Sequence, residues 1–271
     1  MNGSIFINVE SLEQTYLPRL LPYREEQHQY IAECIKPLFN GRNGTNLLLT
    51  GTPGIGKTAC VRFILRKLIE ETENIMPIYI NCWKRDTSPK IINEMADLMD
   101  IKLLEKVSSD ELFDRVILRL GKYDGVVFAF DEIDKVKDFD FLYRILEDVP
   151  HKAIILVTNV SEWIAKMDRR LTSRLVMDNL EFKPYSFEET RGILNERRKY
   201  AFLPDCWDYD AFEIIIKRTF KSKDLRIGLF LMKMTGESAE KRGSEKVEIK
   251  YVEEALKKLE TNKDSETLSK F

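Results

Sequence analysis

The chain has 271 residues, 44% hydrophobic and 32% charged, and its 43 Lys and Arg against 45 Asp and Glu leave a formal net charge of −2. That apolar content suits a folded core, the length accommodates one large domain plus a smaller one, and near-neutrality excludes a global field drawing the molecule to nucleic acid or an anionic membrane. The four cysteines, Cys34, Cys60, Cys82 and Cys206, form no C-x-x-C pair, and the only histidines are His28 and His151. A zinc site or disulfide framework is therefore not expected. The N-terminus lacks a basic region followed by an apolar stretch, and no run of about 18 apolar residues occurs. The expectation is a soluble, cytoplasmic protein that does not meet the membrane.

In chain order, residues 1–16 read as an N-terminal extension, and from Asn46 to Leu180 strand-like apolar runs alternate with helical patterns. That alternation predicts an α/β fold, a parallel sheet flanked by helices, over residues 17–183. The first run, Asn46 to Thr50, is followed by Gly51-Thr52-Pro53-Gly54-Ile55-Gly56-Lys57-Thr58, which fits G-x-x-x-x-G-K-[ST] without a mismatch. Between a strand and a helix, such a loop wraps its backbone N–H groups around phosphates, and the helix N-terminus adds positive potential. Ala59 continues into the helix. Lys57 is expected to reach the β- and γ-phosphates of ATP, and Thr58 to give its hydroxyl to Mg2+.

A helix over Thr58 to Glu71 leads to a second run, Pro77 to Asn81, and further helices follow over Pro89 to Met99 and Ser109 to Leu120. Ser108 and Glu111 have capping-box spacing. The run Val126 to Asp131 ends in Asp131-Glu132. Downstream of an intact phosphate loop, this pair is the expected second half of the site: Asp131 holds Mg2+ through water, and Glu132 orients or deprotonates the attacking water. The run Ala153 to Asn159 ends in polar residues. Asn159 suits contact with the same water or the γ-phosphate, but Asn also ends strands as a turn former, so the spacing leaves both readings open. A shorter run covers Val176 to Phe182.

After Pro184 the alternation stops. Ser186 to Tyr200, Tyr209 to Thr219, Asp224 to Ser238 and Lys250 to Leu259 are helical in period, which predicts a small all-helical domain over 184–260. Ser186 and Glu189 give it a second capping-box spacing. Residues 261–271 are polar and read as a loose tail. The clusters Arg197-Arg198-Lys199 and Lys241-Arg242 read as solvated helix faces.

The phosphate loop, Asp131-Glu132-Ile133-Asp134, Thr158-Asn159 and an arginine in a following helical domain together resemble the AAA+ ATPases. Leu20-Leu21-Pro22-Tyr23-Arg24-Glu25-Glu26-Gln27, Pro77 to Cys82 and Trp83-Lys84-Arg85-Asp86-Thr87 are similar to segments of the origin-recognition initiators of archaeal and eukaryotic DNA replication. The resemblance implies a lid for the helical domain and places Leu20 to Gln27 on the adenine side of an ATP or ADP pocket. It makes Asn159 the first sensor and Arg174, in Ser173-Arg174-Leu175, an arginine finger acting on a neighbouring subunit, with Arg170 in reserve. It makes Arg226, in Asp224-Leu225-Arg226, the second sensor. Trp83-Lys84-Arg85, an aromatic among cations, becomes the expected contact with double-stranded DNA. The implied function is ATP binding and hydrolysis with ATP-dependent assembly on DNA, through self-association or partner AAA+ subunits. A transposition or clamp-loading regulator, and an ATP-dependent scaffold that does not bind DNA, are the alternatives. A typical initiator continues into a C-terminal winged-helix domain where this chain stops, at Phe271, so the resemblance implies an initiator lacking that domain.

Overall fold

The computed structural model of the chain describes residues 4–102 and 107–268. The first three residues of the N-terminal extension and the last three of the polar tail lie outside the described residues. The chain divides into two compact units: Arg24–Lys183, and the residues before Arg24 together with those from Pro184 onward. Residues 17–23, assigned on sequence to the α/β domain, thus cluster with the helical unit.

The first unit contains α1 (Glu25–Ile35), β1 (Asn46–Thr50), α2 (Lys57–Glu71), β2 (Ile75–Asn81), α3 (Ser88–Leu98), α4 (Ser109–Leu120), β3 (Gly125–Asp131), α5 (Asp140–Asp148), β4 (Lys152–Val157), α6 (Arg169–Leu175) and β5 (Met177–Glu181). All strand pairs are parallel, in the order β2-β3-β4-β1-β5. Strand parity sends alternate side chains to opposite faces, each covered by its own core. Leu48, Ile78, Ile80, Phe128, Phe130, Ile154 and Leu156 pack with α3 to α6, whereas Leu47, Leu49, Val127, Ala129, Ile155 and Val157 pack with α1 and α2. In α2 the buried positions Lys57, Cys60, Val61, Ile64, Leu65 and Leu68 repeat at helical spacing, which fixes the face turned to the sheet. Asp131 lies opposite Val157, and Val157 opposite Leu49, so the carboxyl ends of β3, β4 and β1 form one line.

The sequence pattern predicts no helix at α1 or α5. In α1 only Ile31, Cys34 and Ile35, all in its second half, are buried, and α5 has nine residues, so neither offers a long periodic stretch. At α4, Ser108 accepts from the Glu111 N–H, as its spacing predicts, while the Glu111 carboxylate pairs with Arg115.

The second unit contains α7 (Phe187–Ala201), α8 (Tyr209–Ser222), α9 (Leu225–Lys241) and α10 (Ile249–Leu268). At Ser186 the capping box is complete: the hydroxyl accepts from the Glu189 N–H at 3.2 Å, and the Glu189 carboxylate accepts from the Ser186 N–H at 2.7 Å. Helix α10 continues to Leu268, into the stretch read as a tail. The N-terminal segment belongs to this unit's core. Phe6 bridges Phe202 in antiparallel fashion, Ile7 N–H donates to Ala201 O at 2.8 Å, and Ile5 and Leu12 are buried. Gly236 leaves room for this segment, since an added Cβ would lie 2.4 Å from the Phe6 ring. Arg197 and Arg198 are not simply solvated. Arg197 donates to Ser11 O at 3.1 Å and sits over Tyr16, and Arg198 lies over the Phe212 ring at 4.4 Å, because long cationic side chains cover apolar surface with their stems. No helix among the described residues is long and apolar enough to cross a membrane.

Candidate active site

The site forms at the carboxyl end of the sheet, where the chain leaves β1 and turns into α2. In open α/β sheets this edge is where ligands are held. The turn requires glycine. Gly51 has φ 141°, and a Cβ there would stand 2.5 Å from Phe182 O, while Gly56 enters α2 in the left-handed region at φ 92°. Between them Ile55 is buried and anchors the loop in the core. Arg24, also buried, donates to Ile55 O at 3.0 Å and to Lys183 O at 2.8 Å, with its guanidinium over Phe182. This arginine, from the segment expected on the adenine side, ties the phosphate loop to the chain beyond β5.

Lys57, the first residue of α2, is 5% exposed, and its ammonium donates to Gly51 O at 2.7 Å, Thr52 O at 2.9 Å and Asn159 Oδ1 at 2.7 Å. Thr58 Oγ1 donates to Asp131 Oδ2 at 2.7 Å. Asp131, 2% exposed at the end of β3, also accepts from the Glu132 N–H through Oδ1 at 3.0 Å and from the Tyr79 phenol through Oδ2 at 2.8 Å. Glu132 turns the chain in the left-handed region at φ 55°, which is uncommon for a non-glycine residue and collects at functional sites. Its two carboxylate oxygens accept from Asn159 Nδ2 at 3.0 and 2.9 Å. Beside this network, Thr158 Oγ1 donates to Asp134 Oδ1 at 2.8 Å, and Asp134 pairs with Lys135 at 2.8 Å. Burial and then the neighbouring Asp131 charge push the Tyr79 phenol far above its ordinary range, so it stays a donor. Burial does the same to the Cys82 thiol next to the strand end.

Lys57, Thr58, Asp131, Glu132 and Asn159 therefore meet in one hydrogen-bonded cluster; the other expected residues of this unit, Trp83, Lys84, Arg85, Arg170 and Arg174, are not part of it. Trp83, Lys84 and Arg85 follow β2 at the same sheet edge. Trp83 is 67% exposed, with the Lys135 ammonium 5.1 Å from its ring centroid, Lys84 is exposed, and Arg85 pairs with Glu94 at 2.6 Å. Arg174 lies on α6 and pairs with Glu147. Asn46, which starts β1, pairs with Met177 and donates to Leu175 O at 2.5 Å, so Arg174 sits at the amino end of the strands. Arg226, in the helical unit, hydrogen-bonds the Asp224 carboxylate through Nε at 3.0 Å and through its terminal nitrogen at 2.7 Å. Arg170 is exposed on α6. Two residues given no individual role on sequence, Tyr79 and Arg24, also build the site. A phenol at a strand position facing α2, and an arginine beside an apolar turn, were the available signals.

Residues 41–167 match the AAA domain family, and residues 191–257 match the Cdc6 AAA+ ATPase-type lid domain. Parallel sheet, phosphate loop, acidic strand end and helical lid thus define an AAA+ P-loop protein. The ORC1-type DNA replication protein 1 of Sulfurisphaera tokodaii is 31% identical over 98% of this chain and 70% of its own length. That of Aeropyrum pernix is 30% identical over 99% of this chain and 72% of its own. The solved structure of the Aeropyrum pernix ORC1 protein in complex with DNA matches all of this chain and 74% of that one, with a TM-score of 0.86 and 29% identity. Cdc6p from Pyrobaculum aerophilum shares the fold, with a TM-score of 0.83 at 19% identity over 94% of this chain and 72% of that one. The chain belongs to the ORC1-type DNA replication protein family.

Proposed function

We propose that this chain binds ATP with magnesium, hydrolyses it, and uses the bound nucleotide to govern assembly with AAA+ neighbours on double-stranded DNA. The observation that carries this reading is the convergence of Lys57, Thr58, Asp131, Glu132 and Asn159 on one sheet edge. The loop's N–H groups and the amino end of α2 suit the phosphates. Lys57 exchanges its loop carbonyls for phosphate oxygens.

Thr58 Oγ1 and Asp131 Oδ2, 2.7 Å apart, suit a magnesium ion that takes the hydroxyl as a ligand and meets the carboxylate through one of its waters. When bound there, the ion neutralises charge developing on the β- and γ-oxygens. Glu132 holds the attacking water and receives its proton, and Asn159 fixes the plane of that carboxylate through both oxygens. Arg226, at the start of α9, is the proposed second sensor of bound nucleotide. Trp83 and Lys84 provide the exposed aromatic and cation proposed to meet DNA, supported by the DNA complex of the Aeropyrum pernix relative.

The test separates binding from turnover. Lys57→Ala should abolish tight ATP binding, because Lys57 contacts ground-state phosphates, while Glu132→Gln should retain binding and stop hydrolysis, because Glu132 acts on the water. Binding is read with a fluorescent ATP analogue and turnover by phosphate release. Normal turnover by Glu132→Gln would remove its assigned role.

A further inference from the structure

Tyr79 lies within Pro77 to Cys82, outside the phosphate loop, the acidic pair and the sensors. It occupies the middle of β2, on the face packed with α1 and α2, half-buried among the residues of that core. Its register partner on β3 is Ala129, two residues before Asp131, and the small alanine leaves the phenol free to lean along the sheet toward the strand end. There its hydroxyl donates to Asp131 Oδ2 at 2.8 Å, onto the same oxygen that accepts Thr58 Oγ1 at 2.7 Å. Oδ1 accepts the Glu132 N–H at 3.0 Å.

A carboxylate turns easily about its last torsion, whose energy well is broad. Asp131 is 2% exposed, so protein donors rather than bulk solvent set its plane. The Glu132 N–H comes from the adjoining backbone, and the Thr58 hydroxyl is the group that magnesium also takes as a ligand. Tyr79 is the side-chain donor of the three that has no other part in the reaction.

We propose that Tyr79 is a positioning residue for the magnesium site, holding the Asp131 carboxylate in the plane that receives the ion's water. The proposal rests on the reading of Thr58 and Asp131 as that site. Its consequence is a magnesium requirement that depends on a phenol contributed by the neighbouring strand.

Tyr79→Phe keeps the ring that packs against the α2 side and removes only the hydroxyl. Nucleotide affinity is measured with a fluorescent ATP analogue in EDTA and across a Mg2+ titration, with turnover followed over the same titration. The expected result is affinity in EDTA within about twofold of the parent, and a Mg2+ midpoint raised about 3- to 10-fold for both binding and turnover, the size of one hydrogen bond. An unmoved midpoint, with the parent responding normally to Mg2+, overturns the role of Tyr79 and leaves the ATP reading intact. A loss of affinity in EDTA as large as that in Mg2+ also overturns it, since the phenol would then serve packing alone. Parent protein whose nucleotide binding ignores Mg2+ overturns the magnesium reading and the tyrosine's role together.

Discussion

Asn159 illustrates how much one side chain can hold at the residue scale. Its amide nitrogen serves both oxygens of Glu132 while its carbonyl accepts from Lys57, so it links the residue proposed to meet phosphate to the residue proposed to meet water. Asn159→Ala removes the donors that fix the Glu132 carboxylate and leaves Lys57 its two loop carbonyls. Turnover should fall about 10²-fold, the scale set by loss of one preorganised donor, with ATP affinity changed far less. Steady-state kinetics beside equilibrium binding checks this, and an unchanged kcat would remove Asn159 from the mechanism. Residues of this kind are legible in sequence to different degrees. Lys57 and Thr58 sit in a contiguous motif whose spacing is dictated by a single turn of backbone around phosphate. Asn159 could be named only through resemblance, because a strand-ending Asn has an equally good local explanation. Tyr79 offers the sequence only a phenol on a strand, since its role depends on which face of β2 it occupies and on the register with β3, neither of which a single strand's residues state.

Among the elements, α6 fixes where Arg174 stands. It delivers the arginine to the amino end of β5, beside the start of β1, whereas the phosphate loop leaves the other end of β1. Five strand residues separate these ends, about 17 Å, so within this unit Arg174 and the loop lie on opposite edges of the sheet. Arg174, in the arginine-finger role proposed for it, therefore requires a subunit junction. Its pairing with the exposed Glu147 is no obstacle, because exposed ion pairs contribute little and exchange readily. Mixing Arg174→Ala with Lys57→Ala, each expected to be inactive alone, should therefore restore part of the ATPase rate, since some junctions pair an intact pocket with an intact arginine. Confirmed mixing with no recovery would assign hydrolysis to a single subunit. Elements were legible where their period was long and clean, as in β3, whose seven residues are all buried. They were missed where, as in α1, a polar first half hides the face that packs.

For the whole molecule, a net charge of −2 leaves DNA binding to local groups. Lys84 is exposed beside an exposed Trp83, while Arg85 is engaged with Glu94. A few cations per subunit release few counterions, with a slope of about −0.9 in log affinity against log salt for each phosphate met. A single subunit should therefore leave duplex DNA near physiological salt, and ATP-driven assembly should multiply the contacts and the slope. Binding is expected only with ATP, to fall steeply with salt, and to be lost in a Lys84→Ala, Arg85→Ala double variant, measured by fluorescence anisotropy with duplex of mixed sequence. Tight binding without nucleotide would move the DNA contact to another surface.

The two units also differ in how they are threaded. Arg24 to Lys183 is one uninterrupted stretch, but the helical unit recruits its first strap of chain from the opposite end of the sequence: Phe6 against Phe202, Ile5 N–H on Glu240. Closing a loop of that length costs chain entropy that must be met before the contact is made, and synthesis runs from the amino end. On the ribosome, the α/β unit therefore has its whole sequence in hand while residues 5–7 still wait for their partners. Folding order is thus written into the connectivity: the nucleotide-binding half can mature first, and the helical half is sealed last, by residues made before that half began.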